Sequence, residues 1–276
     1  MAQYYQKINT LYKRDAANKN AIIIGDYSLP EFKYLKNCVW DVTEKIDGTN
    51  MSYEIFFYGD GEIAAVNIHG KTENANIPKD LLAVMESKMQ ELQDNGTFTE
   101  AFKRTSKDED GNDVYTWPKK VTIFGEGYGA KIQGGGRYSA TPKFIVFDIT
   151  IENNNGEDIY LLHNNVKDIC DKLRLDMVHY YGHMTIDDAE SIIQTIARWV
   201  HSKNGNIKRS DIPNDIWEEE AFPDCMFSNN ADDKNLVIEG FVLKSPLGLK
   251  TRAGAPLTLK IKVKDYIDLL KKGIDF

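Results

Sequence analysis

The sequence predicts an α+β fold, with antiparallel sheets flanked by helices, in a single domain that spans residues 1–276. Three observations support this prediction. The first third of the chain consists of short segments rich in β-branched and aromatic residues, separated by turn residues. Longer segments in the middle carry apolar residues at helical spacing, and the C-terminal part returns to alternating apolar and polar residues. No repeat or linker divides the chain, and its 42% of hydrophobic residues is enough for a packed core.

Strands are predicted where β-branched and aromatic residues dominate between turn signals. The candidates are residues 21–27, 38–46, 51–59, 62–70, 119–129, 143–152, 236–245 and 256–265. Asp47-Gly48 lies between the second and third of these segments and is a strong signal for a two-residue turn. Those two strands are therefore predicted to form a hairpin.

Helices are predicted where apolar residues recur three and four positions apart. Residues 78–93 begin with a proline, and residues 185–201 begin with a threonine and early acidic residues, which suit a helix N-terminus. Residues 163–173 and a short C-terminal segment are further helix candidates. Residues 104–117 are predicted to be a loop or hairpin tip, and residues 202–234 are polar, acidic and poorly periodic.

Composition limits the class of protein. A net charge of −8 argues by itself against a nucleic-acid partner, but residues 240–272 hold eight Lys or Arg and two Asp. Any surface that binds a polyanion is therefore local. The chain has no run of ~18 apolar residues, and its N-terminus lacks the apolar centre of a signal peptide. No membrane partner and a cytoplasmic location are predicted, in the host cytoplasm if the protein is viral. Three cysteines without CxxC spacing indicate neither disulfides nor zinc.

Lys45, two residues before Asp47-Gly48, is the first candidate for chemistry. A lysine is nucleophilic only as the neutral amine, which burial or a neighbouring cation favours. Because Glu44 and Asp47 act in the opposite direction, a catalytic Lys45 requires a metal ion or other lysines beside it. The alternative is an ordinary solvent-facing strand residue.

Lys260, Lys262 and Lys264 are candidate cations. They alternate with apolar residues, so strand geometry predicts that three ammonium groups line one face. Such a face suits phosphate binding. The alternative is a surface strand whose solvated lysines protect it against edge pairing.

Carboxylates and an aromatic residue within apolar segments are further candidates. Glu239 and Asp148 stand among apolar residues, where a charge needs a partner or a metal ion. Phe147 alternates with Ile145, which is equally consistent with packing in the core. Glu126 lies between two glycines and is equally consistent with a turn.

The order of these motifs resembles the covalent nucleotidyltransferase superfamily of polynucleotide ligases and capping enzymes. TEKIDGTN at 43–50 is followed by HGKTENANIP at 69–78, FGEGYGAKIQGGG at 124–136, FIVFDI at 144–149, IEGFVLKS at 238–245 and LKIKVKD at 259–265. Within the superfamily, the set resembles the ATP-dependent RNA ligases of the RNA ligase 2 or phage type. The resemblance extends over residues 39–266.

The resemblance implies a nucleotidyltransferase (adenylation) domain in which Lys45 attacks the α-phosphorus of ATP to form lysyl-AMP. Phe147 would stack on adenine, with Val242 on its opposite face. The residues implied to bind the nucleotide are Glu44, Ile46, Asn50, Lys71, Glu126, Phe147, Val242 and Lys244. Those implied to act in catalysis are Lys45, Glu239, Lys260 and Lys262, and those implied to hold hydrated Mg²⁺ or Mn²⁺ are Asp148 and Glu239.

The implied activity is the sealing of 5′-phosphate and 3′-hydroxyl RNA ends through lysyl-AMP and an RNA-adenylate. RNA strands or an RNA/DNA duplex are the implied partners. A ligase for DNA nicks or hybrids with the same chemistry, and a non-catalytic nucleotide- or RNA-binding domain, are open alternatives.

Two features depart from the family pattern. Lys71 stands where the family usually has an arginine, so its contact with phosphate would lack a bidentate fork. Only fourteen residues follow Lys262, so no OB-fold or other C-terminal domain is expected. A protein partner in place of such a domain is left open.

Overall fold

The computed structural model describes residues 4–135, 138–153, 155–202 and 238–276. Its helices and largely antiparallel sheets confirm the α+β fold class. The chain packs into two compact units. Unit 1 takes its described residues from Met1–Tyr5, Gly48–Gly136 and Ala140–Met177, and unit 2 takes its own from Gln6–Asp47, Arg137–Ser139 and Val178–Phe276. The single domain over residues 1–276 stays a prediction.

Strands outnumber helices in the described part of the chain, and most of them are short. The strands are β1 (Asn9–Thr10), β2 (Tyr12–Asp15), β3 (Ala21–Tyr27), β4 (Trp40–Lys45), β5 (Thr49–Phe57), β6 (Ile63–Gly70), β7 (Arg104–Lys107), β8 (Asp113–Thr116), β9 (Lys120–Tyr128), β10 (Lys143–Glu152), β11 (Asp158–Tyr160), β12 (Tyr180–Met184), β13 (Gly240–Lys244) and β14 (Thr258–Lys262). The α-helices are α1 (Pro30–Tyr34), α2 (Lys79–Asp94), α3 (Thr97–Phe102), α4 (His163–Leu173), α5 (Ile186–Ser202) and α6 (Val263–Leu270), and a 3₁₀ helix covers Ala16–Asn18.

Unit 1 is built on an antiparallel sheet with the order β11-β10-β9-β5-β6. Alternation along β5 directs Met51, Tyr53 and Ile55 to one face, where they share a core with Leu81 of α2 and Leu173 of α4. This arrangement explains why the β5 sequence is rich in large apolar residues at every second position.

Unit 2 is built on a sheet with the order β1-β14-β13-β4-β12, in which β1 joins β14 in parallel and the other neighbours are antiparallel. Phe241 and Leu243 of β13, with Leu259 and Ile261 of β14, are buried on one face. Helix α5 contacts both strands, and α6 contacts β14 and α5. Since alternation places the lysines of β14 on the other face, the helices cover only the apolar side of the sheet.

Most predicted elements are confirmed, including the strand at 21–27, the helices at 78–93, 163–173 and 185–201, and the hairpin tip, which is formed by β7 and β8. The predicted hairpin across Asp47-Gly48 is wrong. Strand β4 pairs with β12 and β13, whereas β5 pairs with β6 and β9. Gly48 meets a different steric requirement, because a Cβ there would lie 2.3 Å from the carbonyl oxygen of Gly127.

The predicted row of three lysines on the last strand is also wrong. Strand β14 ends at Lys262, and Lys264 lies exposed in α6. Val263, Tyr266 and Leu269 recur at helical spacing and are buried, so their burial outweighs the alternation seen in the sequence. Residues 203–234 of the predicted acidic segment lie outside the described residues.

None of the helices in the described ranges has the length and apolar character that crossing a membrane requires.

A buried carboxylate ties three elements of unit 2 together. Glu190 of α5 is 8% exposed. It accepts hydrogen bonds from the hydroxyl groups of Tyr12 at 2.9 Å and Tyr266 at 2.8 Å. Burial and then the charge of Glu190 raise the pKa of both phenols, so both remain neutral donors at physiological pH.

We expect Glu190→Ala to lower the free energy of unfolding by about 2–4 kcal/mol, because it leaves two buried hydroxyl groups without an acceptor. Asp187→Ala is the matched control on the same helix. It removes only an exposed pair with Lys36 and should cost below ~1 kcal/mol. Urea denaturation measures both values, and equal losses would contradict a structural role of the buried carboxylate.

Candidate active site

One face of the unit 2 sheet carries lysines from three adjacent strands, and we call it the lysine face. Gly240 of β13 lies opposite Lys45 of β4 on one side and Lys262 of β14 on the other. The next row along the strands places Val242 beside Lys260. The register of three strands therefore brings together residues that are far apart in sequence.

Glu239, just before β13, links the two lysines of the first row. One carboxylate oxygen lies 2.7 Å from the Lys45 Nζ atom, and the other lies 2.5 Å from the Lys262 Nζ atom. Lys45 also donates a hydrogen bond of 3.3 Å to the carbonyl oxygen of Ile46. The side chain of Glu239 is only 12% exposed, so this carboxylate is an ion-pair partner held in a largely buried position.

Gly240 is required at the centre of this row. A Cβ atom there would lie 2.0 Å from the carbonyl oxygen of Ile261, a distance that no side chain tolerates. Because glycine presents no side chain, β13 can approach the backbone of β14 closely at this position. Glu239 therefore bridges the two lysines, and the next residue, Gly240, allows β13 to lie close to β14.

The charges of this cluster act on one another. Burial alone raises the pKa of Glu239, but Lys45 and Lys262 outweigh it and hold the pKa below its ordinary value. For Lys260, burial and then the charges of Lys45 and Lys262 lower the pKa to about 8, and Glu239 only partly opposes this. Lys260 is therefore partly neutral near physiological pH, while Glu239 stays ionised.

The remaining predicted residues of unit 2 lie on the same strands. Lys244 of β13 lies on the lysine face one row beyond the pair of Val242 and Lys260, and its cross-strand partner is Thr258.

Glu44 alternates with Lys45 and is directed to the other side of β4, where it is 2% exposed. The hydroxyl group of Tyr181 lies 3.5 Å from its carboxylate. Ile46 is 3% exposed, so the structure buries both neighbours of Lys45.

Unit 1 brings two predicted nucleotide-binding residues together. Asn50 of β5 and Glu126 of β9 are direct cross-strand partners. Glu126 lies within a nine-residue strand, so a turn at this position is wrong. The flanking glycines serve packing, because Cβ atoms at Gly125 and Gly127 would lie 2.3 Å from the Ile145 carbonyl oxygen and a Leu81 methyl group.

Phe147 lies at an irregularity in β10. The pairing of β10 with β9 shifts between Val146 and Asp148, and the Val146 amide instead donates 2.8 Å to the carbonyl oxygen of Asp176. Such a bulge redirects a side chain, so simple alternation with Ile145 does not apply. Phe147 is accordingly half-buried, whereas Ile145 is fully buried.

Tyr5 is a residue that sequence reasoning missed. Its hydroxyl group donates 3.0 Å to Asp148, and its ring contacts Phe147 edge to face at 4.8 Å between centroids. Burial and then the charge of Asp148 raise the pKa of Tyr5 well above its ordinary value. A tyrosine in a polar N-terminal segment gives no periodic signal, so nothing in the sequence marked it.

Lys71 follows β6 and is exposed. Met51 of β5 lies opposite Gly70 of β6, so Asn50 and Lys71 are the next residues along these two paired strands. The Lys71 side chain has no hydrogen bond or ion pair with another described residue. Its predicted contact with a nucleotide phosphate stays a prediction.

The two predicted carboxylates already accept hydrogen bonds from protein donors, so only part of their lone pairs is left for a divalent cation. One oxygen of Asp148 accepts from Tyr5 and the other from the Ile149 amide at 3.1 Å, and Glu239 is occupied by two lysines. Within the described ranges, no group of three His, Cys, Asp or Glu could hold a metal ion. Metal binding by Asp148 and Glu239 stays a prediction.

Comparison with known proteins adds independent information. A model of the RNA ligase family matches residues 39–262. An RNA ligase of Naegleria gruberi solved with pyrophosphate is 15% identical, has a TM-score of 0.50, and is matched over 96% of this chain and 58% of that one. A variant of it with ATP and manganese is 15% identical with a TM-score of 0.49, over 87% and 54% of the two chains.

The chain therefore spans little more than half the length of these solved relatives. The similarity to the pyrophosphate-bound structure shows a shared nucleotidyltransferase fold. No curated protein sequence matches the chain.

We expect the Lys260 amine to titrate with a pKa of about 8, measured by pH-dependent acetylation and mass spectrometry. Glu239→Gln should lower this pKa further, because the carboxylate charge stabilises the ammonium form. In the unfolded chain this lysine has its ordinary pKa of 10.5, so between pH 8 and pH 10.5 the unfolded state binds more protons than the folded state. The free energy of unfolding should therefore rise with pH across this window, and Lys260→Met should reduce the rise. The same rise in both proteins would contradict the assignment.

Tyr5→Phe should lower the free energy of unfolding by about 1–3 kcal/mol, because the buried Asp148 carboxylate loses a donor. Tyr4→Phe is the matched control, because Tyr4 is the neighbouring tyrosine and is 37% exposed. Urea denaturation should separate the two variants. Stability equal to the parent in both would show that the Tyr5 hydroxyl group contributes nothing.

Proposed function

The chain belongs to the RNA ligase family, and from this membership we propose that it is an ATP-dependent RNA ligase that joins 5′-phosphate and 3′-hydroxyl ends. The observation that carries the proposal is the Lys45–Glu239–Lys262 cluster, which lies inside the matched residues. A solvated surface lysine would not need a buried carboxylate and two further lysines on the same face.

In the first step, the neutral amine of Lys45 attacks the α-phosphorus of ATP. An N–P bond forms, the bond to the β-phosphate oxygen breaks, and pyrophosphate leaves. The amine gives up a proton, for which the ionised Glu239 carboxylate at 2.7 Å is the nearest described acceptor. Lys260 and Lys262 supply the neighbouring positive charge that stabilises the leaving pyrophosphate.

The second and third steps move AMP through the RNA ends. The 5′-phosphate of one strand attacks the phosphorus of lysyl-AMP and the N–P bond breaks. The Lys45 nitrogen takes up a proton as it leaves, which regenerates the amine and gives an RNA-adenylate. The 3′-hydroxyl group of the other strand then displaces AMP and forms the phosphodiester. Each step is a phosphoryl-type transfer in which positioning and charge stabilisation supply most of the catalysis.

Nucleotide binding is proposed separately for each unit. In unit 1, Phe147 stacks on adenine, and Asn50 and Glu126 bind the ribose. The half-buried position of Phe147 at a bulge supports this role better than core packing does. In unit 2, Lys244 contributes to phosphate binding and Val242 lines the nucleotide on the lysine face. Nucleotide binding by the buried Glu44 and Ile46 stays a prediction.

We propose Mg²⁺ or Mn²⁺ as the divalent cation, carried with the phosphates of the substrate ATP. A hydrated ion on phosphate fits carboxylates that already accept protein hydrogen bonds, because Mg²⁺ keeps several of its waters. When bound, the ion neutralises phosphate charge. RNA strands are the proposed partners, while a duplex preference, a protein partner and a cytoplasmic location stay predictions.

After pyrophosphate treatment to remove any AMP already bound, incubation with ATP and Mg²⁺ should add about 329 Da, the mass of one AMP on a nucleophilic lysine. Lys45→Ala should gain nothing. Lys13→Ala should gain the full mass, because Lys13 is an exposed lysine paired with Asp26. Intact-mass spectrometry measures all three proteins.

A folded parent that never acquires AMP would favour the alternative of a non-catalytic nucleotide- or RNA-binding domain. If the adduct forms, discharge of AMP onto nicked RNA, DNA and hybrid duplexes distinguishes an RNA ligase from a DNA or hybrid ligase. The RNA ligase proposal requires faster discharge onto RNA 5′-phosphates.

A further inference from the structure

The connection between β13 and β14, residues 245–257, forms an ordered projection that we call the basic hairpin. The Ser245 amide donates a hydrogen bond of 3.2 Å to the carbonyl oxygen of Leu257. The Leu257 amide donates a hydrogen bond of 2.8 Å to the carbonyl oxygen of Leu249. Lys250 and Pro256 form a further bridge. These bonds fix a bent hairpin, so its side chains are presented on a defined backbone.

The basic hairpin carries unneutralised positive charge. Residues 245–257 include Lys250 and Arg252 and no acidic residue. Both side chains are exposed, and within the described part of the chain neither has a hydrogen bond or ion pair.

Two exposed lysines of α4 are paired with acidic residues instead. Lys167 and Lys172 of α4 lie 2.5 and 2.7 Å from Asp171 and Asp168. Their charges are neutralised within the helix, so they contribute little to the field around the protein. The contrast indicates that the charge of the basic hairpin is available to an external anion.

The basic hairpin also continues the strands of the lysine face. It begins directly after Lys244 and ends directly before β14, which carries Lys260 and Lys262. Positive groups therefore extend from the Glu239 cluster along both strands to the hairpin. A chain of phosphates that starts at the lysine face would meet further cations in that direction.

We propose that the basic hairpin binds the phosphate backbone of an RNA strand through Lys250 and Arg252. The assignment rests on the proposed function for the identity of the polyanion. Arginine and lysine bind phosphates without reading sequence, so the contact supplies affinity and orientation rather than base specificity. It would also supply RNA affinity that is independent of lysyl-AMP formation.

The test is binding of a fluorescein-labelled single-stranded RNA to the full chain, followed by anisotropy over a range of salt concentrations. The double variant Lys250→Ala/Arg252→Ala should weaken binding about 10-fold near physiological salt. Its plot of log affinity against log salt should be shallower by about 1.4, since each phosphate contact on a single strand contributes ~0.7. AMP adduct formation should equal that of the parent.

Two controls isolate the charge effect. Lys167→Ala/Lys172→Ala removes two cations that are already paired and should leave affinity and slope unchanged. Leu247→Ser changes an 80% exposed residue of the same hairpin and should leave the salt slope unchanged. A protein partner on the hairpin would instead depend on such an exposed apolar side chain.

An unchanged salt slope in Lys250→Ala/Arg252→Ala would overturn the proposal, as would an equal loss in Leu247→Ser, which would point to hairpin conformation rather than charge. Failure of the parent to form an AMP adduct, with the predicted slope change present, would overturn the ligase function and leave the hairpin site supported. Formation of the AMP adduct by the parent, with no slope change in the double variant, would support the ligase function and overturn the hairpin site.

Discussion

The candidate site of unit 2 depends on a single carboxylate held between two ammonium groups. Without Glu239, Lys45, Lys260 and Lys262 would face one another as like charges in a partly buried position, which a fold tolerates poorly. The carboxylate also demands a structural condition, because it reaches both lysines only if β4, β13 and β14 are in register. Gly240 permits that register through its close contact with β14. Charge compensation and strand pairing thus sustain each other.

Unit 1 stabilises the Asp148 carboxylate by a different means. Asp148 has neutral donors, the Tyr5 hydroxyl group and a backbone amide, where Glu239 has cations. Neutral donors stabilise the ionised form without cancelling its charge, so Asp148 keeps a negative field that a cation or a ligand donor can meet. The two carboxylates singled out in the sequence for the same reason are therefore electrostatically distinct.

The sequence predicts the elements of this fold well and their partners less well. Helices such as α2 and strands such as β3 follow from local periodicity. The pairing of β4 does not follow from local sequence. Asp47-Gly48 has the composition of a turn, but glycine is needed there because a Cβ at Gly48 would clash with the backbone of the distant strand β9. Lys264 was misplaced since the start of α6 depends on burial of a helical face. Lys45, Glu239 and Lys262 were named as site residues because the order of the motifs marks them, although their bridging contacts come only from the structure. Tyr5 was missed because only tertiary contact reveals it.

The strand order of unit 2 also affects how the chain is made. All strands of the unit 1 sheet lie between Thr49 and Tyr160, so that sheet is complete in the nascent chain well before β13 exists. Glu239 follows Lys45 by 194 residues. At ~5–20 residues per second, β4 waits roughly 10–40 s on the ribosome for its partner. During this interval the backbone groups on the edge of β4 that later pairs with β13 are unpaired, and they are open to pairing with other chains. A chaperone that covers exposed strand edges would therefore protect the nascent protein during this interval.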